Sequence, residues 1–469
     1  MSRFAITIVI ALILFYWHSL NSYGFVREDS WLLRQDLFSF WDTLKWFLFA
    51  RDPWGYFRPV RRVFFGILGF SKNPVLYFYC VYVVFGGSLL LFAATLRTFL
   101  VSWPVVWFFV FLFGTSAVHS SGLLWLSASH NVFALFFFLA ALFSFLKGRK
   151  NLSLVFAIFA IGSRESAILI LPVLFLFAFW IESRKENALY CFALVALSLY
   201  GIARHLGGEL PPYLERVSAW NHLALVLDSW AKYLISFWWI DLSSIMSFRP
   251  SIFWRLLGFI FWMVLFLYFV FQFLRKKPES IFLALFIFGP VVHWVFPGKW
   301  EIGYFMFSLL GFYLALALNL RRIRLPVLRF LFLFFLWQGA LVFLRAEDHK
   351  TQFASIFQRQ EAWVHAFTSQ VLNNDQDKVL VIGTTTHFEE HSTEAAGDIV
   401  YLPHDPRLLL QDQLLLWNSE RTAFFGDTWG MGRRRFIFSE PQKFLKGTTL
   451  VHYREGAGIW EIKSRQKID

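Results

Sequence analysis

The sequence predicts an α-helical polytopic membrane protein with a small α/β extracytoplasmic domain at its carboxyl end. Three observations predict it. Hydrophobic residues make up 57% of the chain and charged residues only 16%, against roughly 25% charged in soluble domains. The apolar residues fall in repeated runs of about 17–22 residues, each able to carry a helix through roughly 30 Å of hydrocarbon. From about residue 346 onward the runs shorten, and charges and amides appear among them.

The first run, Phe4 to Leu20, contains no charge. A cleaved signal peptide would share its basic start, but the small-residue cleavage pattern is poor around Tyr16-Trp17-His18, so a retained helix is expected. Candidate spans then cover 4–22, 75–96, 103–120, 129–146, 151–163, 166–181, 188–204, 252–274, 280–296, 302–319 and 326–344, about eleven crossings. With the amino terminus inside, the inner connections carry Arg97, Lys147-Gly148-Arg149-Lys150, Arg184-Lys185, Arg275-Lys276-Lys277 and Arg321-Arg322-Ile323-Arg324. Every short basic cluster between spans then lies on one side, as the positive-inside preference requires. Ala219 to Ile240 is interrupted by Asp228 and Lys232 and is expected to be an amphipathic or re-entrant outer helix, since a full crossing there would reverse the downstream clusters.

The net charge of +13 fits this topology and attraction to anionic headgroups, so no nucleic acid partner is expected. Cys80 and Cys191 sit inside apolar runs and imply neither a disulfide nor a metal framework. Trp103, Trp107 and Trp238-Trp239 read as interfacial anchors. The predicted division is a transmembrane domain over 1–345, with a long outer loop at 23–74, and an extracytoplasmic α/β domain over 346–469. In the latter, Lys378 to Gly383 reads as a strand, and 449–453 with 458–462 as a hairpin.

The outer connections carry the candidate chemistry. Glu28-Asp29 presents two carboxylates just after the first span. A solvated loop pair is the plain alternative to a catalytic one. The 23–74 loop is basic although it faces outward, through Arg27, Arg34, Lys45, Arg51, Arg58, Arg61 and Arg62. Phosphate binding explains this, and so does snorkelling of interfacial side chains into headgroups. Arg58 leans toward function, because Tyr56-Phe57 precede it and Pro59 follows, which fixes its position. Arg164-Glu165 lies between two short apolar spans, where charges must be paired or used. His119 and His130 flank another outer turn and are either structural or donors to a phosphate or sugar hydroxyl.

The order of these elements resembles the GT-C superfamily of polytopic glycosyltransferases, in particular its protein O-mannosyltransferase-like branch. The residues that carry the resemblance are Glu28-Asp29, Tyr56-Phe57-Arg58-Pro59, His119 with Trp125-Leu126-Ser127, Arg164-Glu165-Ser166-Ala167-Ile168 with Pro172, and Glu301-Ile302-Gly303-Tyr304 with Ser308 and Gly311. It covers roughly residues 1–345. Departures are Glu28-Asp29 where relatives often carry Asp-Asp or Asp-Glu, Arg164-Glu165 where they often carry Lys-Glu, and Ile302 after Glu301 where an Arg is expected soon after the acid.

The resemblance implies a polyprenyl-phosphate sugar donor in the bilayer and inverting transfer to an acceptor glycan, lipid or protein on the extracytoplasmic face. It implies Asp29 as general base with Glu28 as the close alternative. Arg58, Arg164 and His119 become candidates for holding the donor phosphate, Glu165 for orienting Arg164, and Tyr56 and Glu301 for support. It requires no organic cofactor. Some members use a divalent metal, for which this sequence offers no clear ligand set. The periplasmic side of a bacterial inner membrane is the expected location. A transporter or flippase of lipid-linked sugars is the competing function, but it would place ionisable groups mid-span and show inverted repeats. A non-catalytic scaffold is a third.

Overall fold

The structure, a computed structural model, describes residues 58–68, 74–124, 126–181, 188–206, 251–289 and 305–320. It also describes single helical positions at 224, 226–228, 231–232, 340, 344, 347 and 351, and the strands named below. The helices are α1 (Pro59–Leu68), α2 (Pro74–Thr98), α3 (Trp103–Gly114), α4 (Ser120–Leu124), α5 (His130–Leu146), α6 (Lys150–Ser163), α7 (Ile170–Leu176), α8 (Ala188–Leu206), α9 (Ile252–Leu274), α10 (Pro278–Phe288) and α11 (Met306–Leu320). Nine of the expected spans fall on these helices. Those over 4–22 and 326–344, and nearly all of 219–240, lie outside the described residues.

Two described helices are long and apolar enough to cross a membrane, Val75–Thr98 and Ile252–Leu274. The second turns its apolar side chains outward: Phe253, Leu256, Ile260, Val264, Leu267 and Phe271 are all exposed. In water such a surface would be an aggregation site. In hydrocarbon it is the expected exterior, and α8 does the same with Leu189, Phe192 and Leu199. The described residues therefore form a helical protein suited to a membrane.

Two spans expected to be continuous are broken. The 103–120 run stops as α-helix at Gly114, where Thr115 Oγ1 donates back to Phe111 O at 2.8 Å. The chain then turns through a 3₁₀ segment, Ala117–His119, into α4. The 166–181 run is 3₁₀ over Glu165–Leu169, α over Ile170–Leu176 and π over Phe177–Ile181. Pro172 contributes to this, since it has no N–H to return to the preceding turn.

The core is aromatic and continuous. α5 packs on α2 and α6, and α10 packs on α11. A Cβ on Gly311 would lie 2.6 Å from Phe282 O and 2.7 Å from Phe286 N, so only glycine allows α10 and α11 this approach. Ser308 Oγ donates to Phe286 O across the same contact at 2.5 Å.

Helix directions define two ends. Phe64 of α1 meets Tyr77 at 5.9 Å and Phe133 at 4.8 Å, which brings the starts of α2 and α5 to α1. The α2–α3 and α5–α6 connections, with Arg97 and Lys147 to Lys150, lie at the opposite end. Phe282 of α10 packs edge-on to Phe99 at 5.7 Å, which carries Arg275-Lys276-Lys277 to that basic end as well. The Arg184-Lys185 and Arg321 to Arg324 clusters lie outside the described residues.

Five strands form one sheet in the order β3-β2-β1-β4-β5. β1 (Val379–Ile382) is central and runs parallel to β2 (Thr422–Thr428) and to β4 (Thr449–Arg454). β3 (Arg434–Ile437) and β5 (Ile459–Ser464) are antiparallel partners at the two edges. The strand at 379–382 and the 449–464 hairpin fall where the sequence places them, whereas β2 and β3 were not anticipated.

Candidate functional site

The site is built at the end where α1 and α5 begin and α6 finishes. Pro59 opens α1 with a preset φ, at the position where its missing N–H costs nothing. Arg58 therefore stands immediately before the first turn, and its carbonyl accepts from Arg62 N at 3.4 Å. At the other partner segment, α6 ends at Ser163 and Arg164 adopts an extended backbone, φ −155° and ψ 141°. That break redirects the chain into the 3₁₀ turn carrying Glu165.

Arg58 and Glu165 form a bidentate pair. Nε donates to Oε2 at 3.1 Å and Nη2 to Oε1 at 2.7 Å, joining residues 107 positions apart. Such parallel charge-assisted bonds combine strength with orientation. On sequence, Glu165 is expected to orient Arg164. In the structure its fork partner is Arg58, and Arg164 donates through Nη1 to Asn131 Oδ1 in the first turn of α5. Arg164 is 0% exposed, Arg61 2% and Arg58 9%. Arg61 follows Arg58 by one helical turn. His130 is buried beside Asn131 and lies in the electrostatic field of Arg58, Arg61, Arg164 and Glu165. Three guanidinium groups and one carboxylate thus converge from two segments, with Asn131 and His130 from a third.

His119 lies elsewhere. It is buried between the rings of Phe85, at 5.0 Å, and Phe113, at 4.6 Å. The remaining predicted site residues, Glu28, Asp29, Tyr56 and Glu301, lie outside the described residues.

Asn131, His130 and Arg61 complete the cluster, and sequence reasoning gave them little weight. The available signal was the polar pair His130-Asn131 opening an otherwise apolar span, and the three-residue spacing of Arg58 and Arg61. Among the described residues no three His, Cys, Asp or Glu side chains come together to hold a metal ion.

No family model matches the chain. No curated protein matches it. Among solved structures it is similar to the oligosaccharyltransferase of Archaeoglobus fulgidus, crystallised with a tethered acceptor peptide containing the NVT sequon. Identity is 13%, the TM-score 0.44, and the match covers 84% of this chain and 63% of that one. The chain thus spans less than two thirds of that protein's length. A likeness at this level leaves activity to be argued from residues.

Proposed function

We propose that the chain is a membrane glycosyltransferase of the GT-C type. It moves a sugar from a polyprenyl-phosphate donor to an acceptor hydroxyl, or to an amide, on the side of the bilayer opposite its basic connections. The observation that carries this reading is the buried convergence of Arg58, Arg61, Arg164 and Glu165 at one end of an apolar bundle. Burying guanidinium groups is expensive unless they are paired, and intramembrane charges by default mark substrate sites. A positive cluster of this kind suits an anionic lipid-phosphate head. The motif order, which resembles the O-mannosyltransferase-like branch, supports the same class.

In this mechanism Asp29, or Glu28 in its place, takes the acceptor proton as the acceptor atom attacks the anomeric carbon. The bond from that carbon to the phosphate oxygen breaks, and its electron pair leaves on the polyprenyl phosphate. Arg164 and Arg61 stabilise that charge from positions fixed before the reaction. Arg58, held by Glu165 through Nε and Nη2, adds its charge beside the same head. Tyr56 and Glu301 support the donor, and the periplasmic side of a bacterial inner membrane is the location that fits.

The test is sugar release from a panel of radiolabelled polyprenyl-phosphate sugars by the full chain in lipid, with Asp29→Asn and Glu28→Gln alongside. Turnover by the wild type that collapses in one variant, with folding intact, is the expected result. Absence of turnover with every donor, together with variants that still complement a deletion strain, would favour a transporter or scaffold.

A further inference from the structure

A cavity of about 300 Å³ opens at the basic end, between the last turns of α2, the first turns of α3 and the end of α5. Its walls divide by chemistry. Leu90, Ala93 and Phe143 make an apolar side, while Arg97 and Lys147 bring two cations, and none of the lining residues is acidic. The guanidinium of Arg97 lies 4.7 Å above the ring of Trp103. Trp103 in turn stacks on Trp107 with centroids 5.5 Å apart and planes 5° from parallel. This three-layer stack fixes Arg97, which uses one N–H on Val101 O at 2.5 Å. Its other N–H groups have no acceptor among the described residues. Lys147 lies 5.6 Å over Phe143, just past the α5 carboxyl terminus.

The buried layer of the stack adds an independent observation. Trp107 is 3% exposed, and its Nε1 is a buried donor with no hydrogen-bond partner. A buried unsatisfied N–H carries a real cost and calls for an acceptor. Trp107 lines the same cavity as the two cations. The position is also informative. α2 is one of the two helices long enough to cross the membrane, and the cavity surrounds its last turns. It therefore sits at the headgroup level of the leaflet on the basic side, at the far end of α3 and α5 from the Arg164 site.

We propose that this cavity is a binding site for the phosphate headgroup of an anionic glycerophospholipid from the basic-side leaflet. Arg97 and Lys147 take the phosphate, Trp107 Nε1 donates to an ester or phosphate oxygen, and the apolar wall receives the first part of the acyl chains. The volume suits a headgroup rather than a whole lipid. Basic pockets between membrane helices recognise anionic headgroups by this chemistry. The proposal is independent of the glycosyltransferase reading.

The test uses full-length protein in nanodiscs of phosphatidylcholine doped with phosphatidylglycerol, with retained lipid counted by native mass spectrometry. Wild type should retain phosphatidylglycerol in preference to phosphatidylcholine. Arg97→Gln with Lys147→Gln should weaken that preference about tenfold, from the loss of two headgroup charges. Trp107→Phe keeps the stack and removes only the donor, and should weaken it by a smaller factor of roughly three to five. Lys147 is exposed, so Lys147→Gln alone keeps the fold and should show a partial loss. Equal retention of both lipids by the wild type, or undiminished preference in the folded variants, would overturn the proposal. Displacement of phosphatidylglycerol by millimolar inorganic phosphate would overturn the lipid source in favour of a free anion.

Discussion

The two ends of the helical bundle hold positive charge in opposite ways. At one end Arg61 and Arg164 are buried outright, Arg58 is nearly so, and the geometry is set by Glu165 and Asn131. At the other end Arg97, Lys147 and Arg275 lie over the rings of Trp103, Phe143 and Phe271, at distances of 4.7, 5.6 and 3.9 Å. Cations on aromatic faces at an interface cost little and orient the chain. Guanidinium groups held dry cost several kcal/mol each before pairing. Among the described residues, the second expense falls on Arg58, Arg61 and Arg164, all at one end.

The contrast breaks most easily at Glu165. Glu165→Ala leaves Arg58 buried without its fork partner and should destabilise the protein by roughly 3–5 kcal/mol, read as a fall in thermal midpoint in detergent. Arg58→Met with Glu165→Met should recover most of that loss, because neither member of the pair is then buried without the other. If the double variant is as unstable as Glu165→Ala, the pair does not act as a unit.

Asn131→Ala is the next largest. It removes the acceptor for Arg164 Nη1, and a hydrogen bond to a charged group contributes roughly 1.5–3 kcal/mol. Asn131→Asp, which keeps an acceptor there, should be milder in the same unfolding assay.

The smallest effect belongs to the basic end. Arg275→Gln removes a cation lying over Phe271 and should change stability by only about 0.5–1 kcal/mol. A loss as large as that of Glu165→Ala would erase the difference between the two ends.

Local pattern made the helices legible. The apolar runs locate α2, α5, α6, α8 and α9 nearly to the residue, because hydrophobic length is what a bilayer selects. The early end of α3 and the broken 165–181 segment were not legible, since Thr115 and Pro172 act on runs that remain apolar. In the sheet, β1 and the β4–β5 hairpin carry strand and turn signals. β2 pairs with β1 over 422–425 and with β3 over 425–428, contacts that local sequence does not reveal. At the site, residue types and order were visible, but the partner of Glu165 was not. A contact across 107 positions leaves no trace in local spacing.

The central claim is that the buried end engages the anionic head of a lipid-linked sugar. Its most direct test is turnover of a polyprenyl-phosphate sugar in proteoliposomes by wild type and Arg164→Lys, with thermal midpoints measured in parallel. Lysine keeps the charge but loses the planar fork. The account predicts a fall in turnover of roughly 10²-fold with the midpoint little changed. Undiminished turnover by folded Arg164→Lys would contradict it.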